Sequence, residues 1–219
     1  MIQFVTGTDT GVGKTTAAAA LAQQYRKEGK KVRYFKPVQT GLGPGEPGDA
    51  DFVAAMAGIE VEEGQRFAAR LAPAVAAAQA GQHVEYGQLL ETASRLAQDT
   101  DVLLVEGAGG LLVPLTPEQT VADLARDLRS MLVVATRPGL GSLNHTALTL
   151  EAARSRQLQI QGLVICGWPR DPGVLYRTNL ELLGDMAPIL GLVGVCDGLD
   201  TAIPRSWELP FLGLAQARD

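Results

Sequence analysis

The segment Gly7-Thr8-Asp9-Thr10-Gly11-Val12-Gly13-Lys14-Thr15 decides the fold of this chain. The short apolar run before it, residues 2–5, predicts a buried strand, and the Ala- and Leu-rich stretch after it, residues 16–25, predicts a helix. A glycine-containing loop that ends in Lys-Thr between a strand and a helix is typical of a phosphate-binding P-loop. Thr8 stands where the first glycine of the motif usually falls, so the loop is a variant. The segment predicts nucleotide binding.

In a loop of this type, backbone N–H groups and the helix N-terminus surround the phosphates. We expect the Lys14 ammonium to contact the outer phosphates and the Thr15 hydroxyl to ligate Mg²⁺. The predicted nucleotide-binding residues of the loop are Gly11, Val12, Gly13, Lys14, Thr15 and Thr16.

Composition limits the classes of function. A chain of 219 residues that is 46% hydrophobic fits a single α/β domain over residues 1–219. The net charge of −5 leaves no basic surface for nucleic acid, and no apolar run approaches the roughly 18 residues that a membrane span needs. Cys166 and Cys196 lie in separate apolar segments without metal-ligand spacing. We therefore expect reduced core thiols and a cytoplasmic location.

Apolar strands alternate with helices along the chain. Strands are predicted at residues 2–5, 32–35, 102–105, 131–135, 163–166 and 189–195, and helices at 16–25, 49–57, 73–80, 86–98, 143–156 and 174–186. This alternation predicts a three-layer α/β fold of the P-loop NTPase type, a mostly parallel sheet with helices on both faces. Ligands in such folds bind at the carboxyl ends of the strands. From about residue 197 to 219 we predict an irregular, partly packed tail.

Two further segments follow predicted strands. Lys36-Pro37-Val38-Gln39-Thr40-Gly41 follows the second strand, and Glu106-Gly107-Ala108-Gly109-Gly110 follows the third. A lysine at a strand end beside the P-loop can neutralise a transferring phosphoryl group, and a carboxylate there can ligate Mg²⁺. Lys36 alone would be better explained as a solvated side chain. Pro37 and Gly41 fix the loop that follows Lys36, and this favours the functional interpretation.

Asp49, at the start of a predicted helix, is a candidate third anionic ligand for Mg²⁺. Its alternative role is an N-cap, and Asp51 competes with it for the metal. We favour Asp49 because Val53 and Met56 form an inward stripe that leaves Asp49 at the helix tip.

Another strand passes into a helix at Gly139-Leu140-Gly141-Ser142-Leu143-Asn144-His145. The N–H groups of such a helix start can hold a carboxylate or a phosphate. Ser142 or Asn144 could instead simply cap the helix, and the residues alone leave both possibilities open.

Together these segments resemble the dethiobiotin synthetases, ATP-dependent cyclo-ligases that act before the last step of biotin synthesis. The P-loop, Lys36–Gly41, Glu106–Gly110 and Gly141–His145 match the signatures of that family in order and spacing. The resemblance covers essentially residues 1–195. The P-loop is widely shared, and the combination with the other segments makes the resemblance specific.

The resemblance implies a reaction and a set of roles. In that family 7,8-diaminononanoate takes up CO₂ as a carbamate, ATP phosphorylates the carbamate to a carbamic-phosphoric anhydride, and the second amine closes the ureido ring. Lys14 and Lys36 would be the catalytic residues. Thr15, Asp49 and Glu106 would hold Mg²⁺. Further nucleotide contacts would come from Asp49, Glu106, Gly107, Ala108 and Gly109, and substrate contacts from Thr10 and Thr40. The family is homodimeric, and the partner's helix start, here Ser142, Leu143 and Asn144, receives the substrate carboxylate.

The chain departs from the family pattern where the nucleotide base binds. An Asn-Asp pair that recognises adenine in some members aligns with Cys166 and Gly167, and a proline of the base pocket appears as Gly194. Many relatives also carry an acidic residue where this chain has Gly11. We therefore expect the backbone to line the base, at Gly167, Val193, Gly194 and Val195. Selectivity among nucleoside triphosphates stays open.

Two other protein classes share the nucleotide-binding fold. Partitioning-type P-loop ATPase switches usually carry an extra lysine in the loop, where this chain has Asp9. Cobyrinate synthetases of the amidotransferase type need an additional glutaminase domain, for which 219 residues leave no room. The sequence thus favours the ligase, with the switch ATPase as the alternative.

Overall fold

A computed structural model describes residues 1–194 and 211–212. Within these residues the strands are β1 (Ile2–Gly7), β2 (Val32–Thr40), β3 (Glu60–Phe67), β4 (Val102–Gly110), β5 (Met131–Thr136), β6 (Gln159–Trp168), β7 (Ile189–Gly194) and β8 (Phe211–Leu212). The helices are α1 (Lys14–Lys27), α2 (Asp49–Ala57), α3 (Pro73–Gln79), α4 (Tyr86–Gln98), α5 (Val121–Asp127), α6 (Ser142–Ser155) and α7 (Val174–Met186).

The strands form one sheet in the order β3-β2-β4-β1-β5-β6-β7-β8. Neighbouring strands are parallel from β3 to β7, and β8 is antiparallel to β7. One face of the sheet packs against α1 and α2, and residues of α3 to α7 belong to the core on the other face. The predicted three-layer α/β fold is therefore confirmed. None of the helices in the described part of the chain is long and apolar enough to cross a membrane.

Strands β2 and β4 are longer than the sequence predicted. Strand β2 continues to Thr40 because its second half pairs with β3, for example Val38 with Gln65. Strand β4 likewise continues through the glycines to Gly110. The prediction that Lys36 and Glu106 follow their strands was wrong, since both lie inside them. Helices α2, α4 and α7 have the predicted bounds.

Before the C-terminal tail, two elements, β3 and α5, were not predicted. Strand β3 is the edge strand and reads EVEEGQRF, with most of its residues partly exposed, so it contains no apolar run. Helix α5 is only seven residues long. A capping box begins it, in which the Thr120 N–H donates to Asp123 Oδ2 at 2.8 Å. Both elements depend on neighbours in space more than on local hydrophobic periodicity.

The tail was predicted to be irregular, but within it residues 211–212 form the short strand β8. Val193 and Leu192 of β7 pair with Phe211 and Leu212 of β8. Val195, Cys196 and the other tail residues, 195–210 and 213–219, lie outside the described residues.

Strand β3 approaches β2 so closely beside the candidate site that only glycine fits at residue 64. A Cβ on Gly64 would lie 2.3 Å from the carbonyl oxygen of Pro37, a backbone atom that cannot move away without disturbing β2. We expect Gly64→Ala to lower the free energy of unfolding by about 1–3 kcal/mol, measured by urea denaturation.

Gly87→Ala is the matched control. Gly87 lies in α4, and a Cβ there would meet no atom within 4 Å. Because alanine favours helix over glycine, this change should raise the free energy of unfolding by about 0.5–1 kcal/mol. Equal effects of the two substitutions would contradict the close approach of β3 to β2.

Candidate active site

The P-loop connects β1 to α1, as the sequence predicted. Gly13 is the N-cap of α1 and has φ = 97°, a left-handed conformation that favours glycine. A Cβ on Gly13 would lie 2.5 Å from Cβ of Cys166 in β6, and the Cys166 thiol donates a hydrogen bond to the Gly13 carbonyl at 3.3 Å. Conformation and packing thus both fix glycine at this position.

Lys14 lies folded over the P-loop. Its Nζ donates to the carbonyl oxygen of Asp9 at 3.1 Å, and the residue is 8% exposed. Burial lowers the pKa of Lys14 below its ordinary value; Glu106 opposes this effect and the charge of Lys36 adds to it. An anion bound in the loop would favour the charged ammonium.

Four side chains from four elements form a cluster next to the P-loop, which we call the charge cluster: Thr15, Lys36, Asp49 and Glu106. Lys36 Nζ lies 2.6 Å from Asp49 Oδ2 and 2.8 Å from Glu106 Oε1. The Thr15 hydroxyl donates to the same Glu106 oxygen at 2.9 Å. Helices α1 and α2 and strands β2 and β4 therefore bring together the residues that the sequence singled out.

The charge cluster is closed to solvent on its sheet side. Lys36 is 3% exposed and Glu106 is fully buried. Burial opposes the charge on Lys36, but Glu106 and Asp49 outweigh it, so the pKa of Lys36 is raised above its ordinary value. Lys36 is a permanent ammonium, with no capacity to act as a base near neutral pH.

The structure separates the roles of the two candidate aspartates. Asp51 Oδ2 accepts the N–H of Gly48 at 2.7 Å and so caps the start of α2. Asp49 instead turns its carboxylate to Lys36, and its own N–H donates to Gln39 Oε1 at 3.1 Å. This geometry favours Asp49 over Asp51 as a metal ligand.

The oxygens of the charge cluster fit a magnesium ion. Asp49 and Glu106 already flank a cation, the ammonium of Lys36, and the Thr15 hydroxyl contacts the same Glu106 oxygen. Within residues 1–194 and 211–212, no group of three or more His, Cys, Asp or Glu side chains could hold a metal. A hydroxyl and two carboxylates suit Mg²⁺, which typically adds phosphate oxygens and waters to one or two carboxylates. The site would thus hold the ion together with a nucleotide.

Sequence analysis missed Tyr34, which completes the hydrogen bonding of Glu106. Tyr34 is fully buried, and its hydroxyl donates to Glu106 Oε2 at 2.8 Å. Burial, with the charge of Glu106, raises the pKa of Tyr34 well above its ordinary value, so the hydroxyl stays a donor. The signal was present in the alternation of β2, since Tyr34 and Lys36 are two residues apart and share a face.

The predicted substrate threonines lie at the same edge of the sheet. Thr40 is the last residue of β2 and is partly exposed. Thr10 is exposed in the P-loop, and a Cβ on Gly109 of β4 would lie 3.6 Å from its Oγ1. The remaining predicted nucleotide contacts lie in the P-loop, in the first turn of α1 and along β4: Gly11, Val12, Thr16, Gly107 and Ala108.

A cleft of about 500 Å³, here called the α6 cleft, opens where β5 and β6 end and α6 begins. Its lining includes Thr8, Arg137, Leu140, Ser142 and Tyr176. Ser142 Oγ is buried and has no hydrogen-bond partner among the described residues.

A side chain of α7, Asn179, holds the loop that precedes α6. Asn179 Nδ2 donates to the carbonyl oxygens of Pro138 and Gly139, at 2.9 and 3.1 Å. Leu143 and Asn144 follow in the first turn of α6, where Asn144 is exposed. Because Ser142 makes no side-chain cap bond, the simple capping role that the sequence left open for it is not what the structure has.

The residues predicted to line the base lie at the ends of β6 and β7. Cys166 pairs with Val193 and Trp168 with Gly194, which brings Gly167 and Gly194 close together. Val193 is fully buried in the core, so only its backbone can face a ligand. Val195 lies outside the described residues.

Known proteins resemble this chain at two levels. A family model described as "AAA domain" matches residues 3–201. Among solved structures, McdA from Cyanthece has a TM-score of 0.58 at 14% identity, with 90% of this chain and 86% of that chain covered. The signal recognition particle receptor FtsY from Elizabethkingia anophelis has a TM-score of 0.55 at 16% identity, with 93% of this chain and 61% of that chain covered. At such identities the likeness shows the fold alone.

Curated relatives are much more similar in sequence. The ATP-dependent dethiobiotin synthetase of Frankia casuarinae is 44% identical over 218 residues, which cover 97% of this chain and 89% of the relative. The synthetase of Anaeromyxobacter sp. is 50% identical over 181 residues, which cover 80% and 81%. The resemblance inferred from the sequence motifs is confirmed. Identity of this extent over nearly the whole chain shows that it belongs to the family of the ATP-dependent dethiobiotin synthetases.

Proposed function

We propose that this chain closes the ureido ring of dethiobiotin from 7,8-diaminononanoate and CO₂, driven by ATP and Mg²⁺. Family membership supports the class, an ATP-dependent ligase of biotin biosynthesis. The observation that carries the proposal is the Lys36 ammonium, held between Asp49 and Glu106 beside the P-loop. The proposal places the protein in the cytoplasm and treats residues 1–219 as one domain.

The reaction needs charge neutralisation more than a strong acid, base or nucleophile. One amine of the substrate takes up CO₂ to form a carbamate. A carbamate oxygen then attacks the γ-phosphorus of ATP, ADP leaves, and a carbamic-phosphoric anhydride forms. The second amine attacks the carbonyl carbon and expels phosphate, which closes the ring. Phosphoryl transfer brings two anions together, and ring closure develops negative charge on the departing phosphate, so fixed positive charges lower both barriers.

Lys14 and Lys36 supply these charges from the protein. The P-loop N–H groups would hold the phosphates, and Lys14 would exchange the Asp9 carbonyl for phosphate oxygens. Lys36, kept in its charged form by its two carboxylate neighbours, would attract the carbamate and the transferring phosphoryl group. Mg²⁺ held by Thr15, Asp49 and Glu106 would reduce the negative charge of the phosphates. Thr10 and Thr40, at the same edge, would orient the diamine.

We propose further that the protein is a homodimer, with the α6 cleft of one subunit receiving the carboxylate of a substrate bound mainly to the other. Exposed apolar side chains near this cleft support the proposal: Leu140 is 91% and Val174 is 81% exposed. The buried Ser142 hydroxyl and the N–H groups that open α6 suit a carboxylate. A monomeric mass in analytical ultracentrifugation at assay concentrations would contradict it.

The overall reaction is tested by incubating the purified protein with 7,8-diaminononanoate, bicarbonate, Mg²⁺ and each nucleoside triphosphate in turn. We expect phosphate release that requires both the diamine and bicarbonate. A partitioning-type ATPase switch would instead release phosphate at the same rate without the diamine, and that result would exclude the ligase. Comparing triphosphates in this assay also measures the base selectivity that Cys166 and Gly167 leave open.

Lys36→Ala should keep nucleotide binding and lose turnover. The hydrogen bonds of Lys36 go to Glu106 and Asp49, outside the P-loop, so the loop should stay formed. Loss of one preorganised charge typically costs on the order of 10²–10³ in rate. Nucleotide affinity by fluorescence titration and kcat for phosphate release are measured. Lys30→Ala, an exposed lysine before β2, is the control. Near-normal turnover of Lys36→Ala would remove this residue from the mechanism.

Asp49→Asn and Asp51→Asn each remove one negative charge from the first turn of α2. Comparing the two variants shows which aspartate ligates the metal and which one caps the helix. We expect Asp49→Asn to raise the Mg²⁺ concentration for half-maximal activity about tenfold or more, because a ligand is lost. Asp51→Asn should leave this concentration unchanged and mainly lower the melting temperature, since it weakens the hydrogen bond from the Gly48 N–H at the start of α2. The opposite pattern would assign the metal to Asp51.

A further inference from the structure

The hydroxyl of Tyr34 is buried in an apolar layer between the sheet and helices α1 and α2. Tyr34 belongs to the core cluster on that face, together with Val53, Met56 and Leu104. Its hydroxyl donates to Glu106 Oε2 at 2.8 Å, and the residue is fully buried. A phenylalanine would fill the same space. What tyrosine adds over phenylalanine at this position is therefore the hydrogen bond to Glu106.

The two carboxylate oxygens of Glu106 lie in different environments. Oε1 faces the P-loop, where it accepts from Thr15 and Lys36. Oε2 is turned into the core, where Tyr34 donates to it. Strand register produces this arrangement, because Tyr34 pairs with Leu104, two residues before Glu106 on the same face of β4.

We propose that Tyr34 is a positioning residue that holds the Glu106 carboxylate in the orientation needed to bind the magnesium ion of the nucleotide complex. This inference rests on the proposed function, in which Glu106 is a metal ligand. A carboxylate with one oxygen tied to a rigid aromatic donor presents its other oxygen in a fixed direction. Outer partners of metal ligands typically contribute 10- to 100-fold in metal affinity or activity.

Loss of the hydroxyl would affect metal binding by two routes. Oε2 would be left buried without its hydrogen-bond donor, so the carboxylate would no longer be held in its present orientation. The carboxylate could also rotate and bring both oxygens to Lys36, which would compete with the metal for them. Both routes weaken the site for a cation while leaving the P-loop itself, with Gly13 and Lys14, unchanged.

The test is Tyr34→Phe, with Mn²⁺ as the probe and the non-hydrolysable ATP analogue AMP-PCP as the nucleotide. We expect Mn²⁺ affinity of the protein–AMP-PCP complex, measured by electron paramagnetic resonance, to fall about tenfold. Binding of AMP-PCP without metal should stay unchanged. In the phosphate-release assay, the deficit of Tyr34→Phe should be largest at low Mg²⁺ and should shrink as Mg²⁺ is raised, which a general loss of structure would not produce.

Tyr25→Phe is the matched control. It removes a hydroxyl that accepts from Gln3 Nε2 at 2.6 Å, in the same layer but away from Glu106. Circular dichroism establishes that each variant is folded at the assay temperature, and the Mn²⁺ titration is run below the lower melting temperature. Wild-type Mn²⁺ affinity in Tyr34→Phe, or an equal loss in Tyr25→Phe, would overturn the proposal. Since the titration needs no diamine, failure of the ligase assay would leave its result intact.

Discussion

The structure of the site depends on one buried ion pair network, the Lys36 ammonium between Asp49 and Glu106. A fully buried carboxylate such as Glu106 is costly unless it is paired and hydrogen-bonded. Here it accepts from an ammonium, a threonine and a tyrosine. Because the donors come from α1 and β2, the network requires β4 to lie beside β2 and α1 to begin above both. The strand order places β4 between β2 and β1 and so meets this requirement.

The charges beside the P-loop balance one another in the protein alone. Lys14 and Lys36 are the cations, and Asp49 and Glu106 are the anions whose fields act on both. Lys36 occupies the space between the carboxylates that a divalent cation would share. When a nucleotide–metal complex binds, the carboxylates would therefore exchange contacts with Lys36 for contacts with the metal, and the lysines would turn to the phosphates. The lysines and carboxylates are already in place before a nucleotide arrives, which keeps the cost of reorganising the site low.

Local signals in the sequence predicted the parts of the fold that local interactions form. Helix α2 begins at acidic residues and ends at Gly58, which has φ = 61°, and its bounds were predicted correctly. Strand β3 could not be predicted from its polar sequence, because its strand conformation comes from pairing with β2. The convergence of Lys36 and Glu106 was predicted from the rule that ligands meet at the carboxyl ends of parallel strands, although both residues lie inside strands longer than predicted. The contact of Tyr34 with Glu106 required the register of β2 against β4, which no single segment encodes.

The P-loop ties the different parts of the candidate site to one another. Its Thr8 N–H donates to Ala135 of β5 at 3.0 Å, and Thr8 also lines the α6 cleft. Thr10 lies against Gly109 at the end of β4, and Gly13 is in contact with Cys166 of β6. The loop is therefore held by three strands in addition to the two elements that it connects. Such a loop keeps its shape before a nucleotide arrives, so the energy of binding need not be used to order it. The same contacts join the end of β6 to the loop, since Cys166 packs directly against Gly13. The end of β6 and the start of α1 are thus packed together at this edge of the sheet.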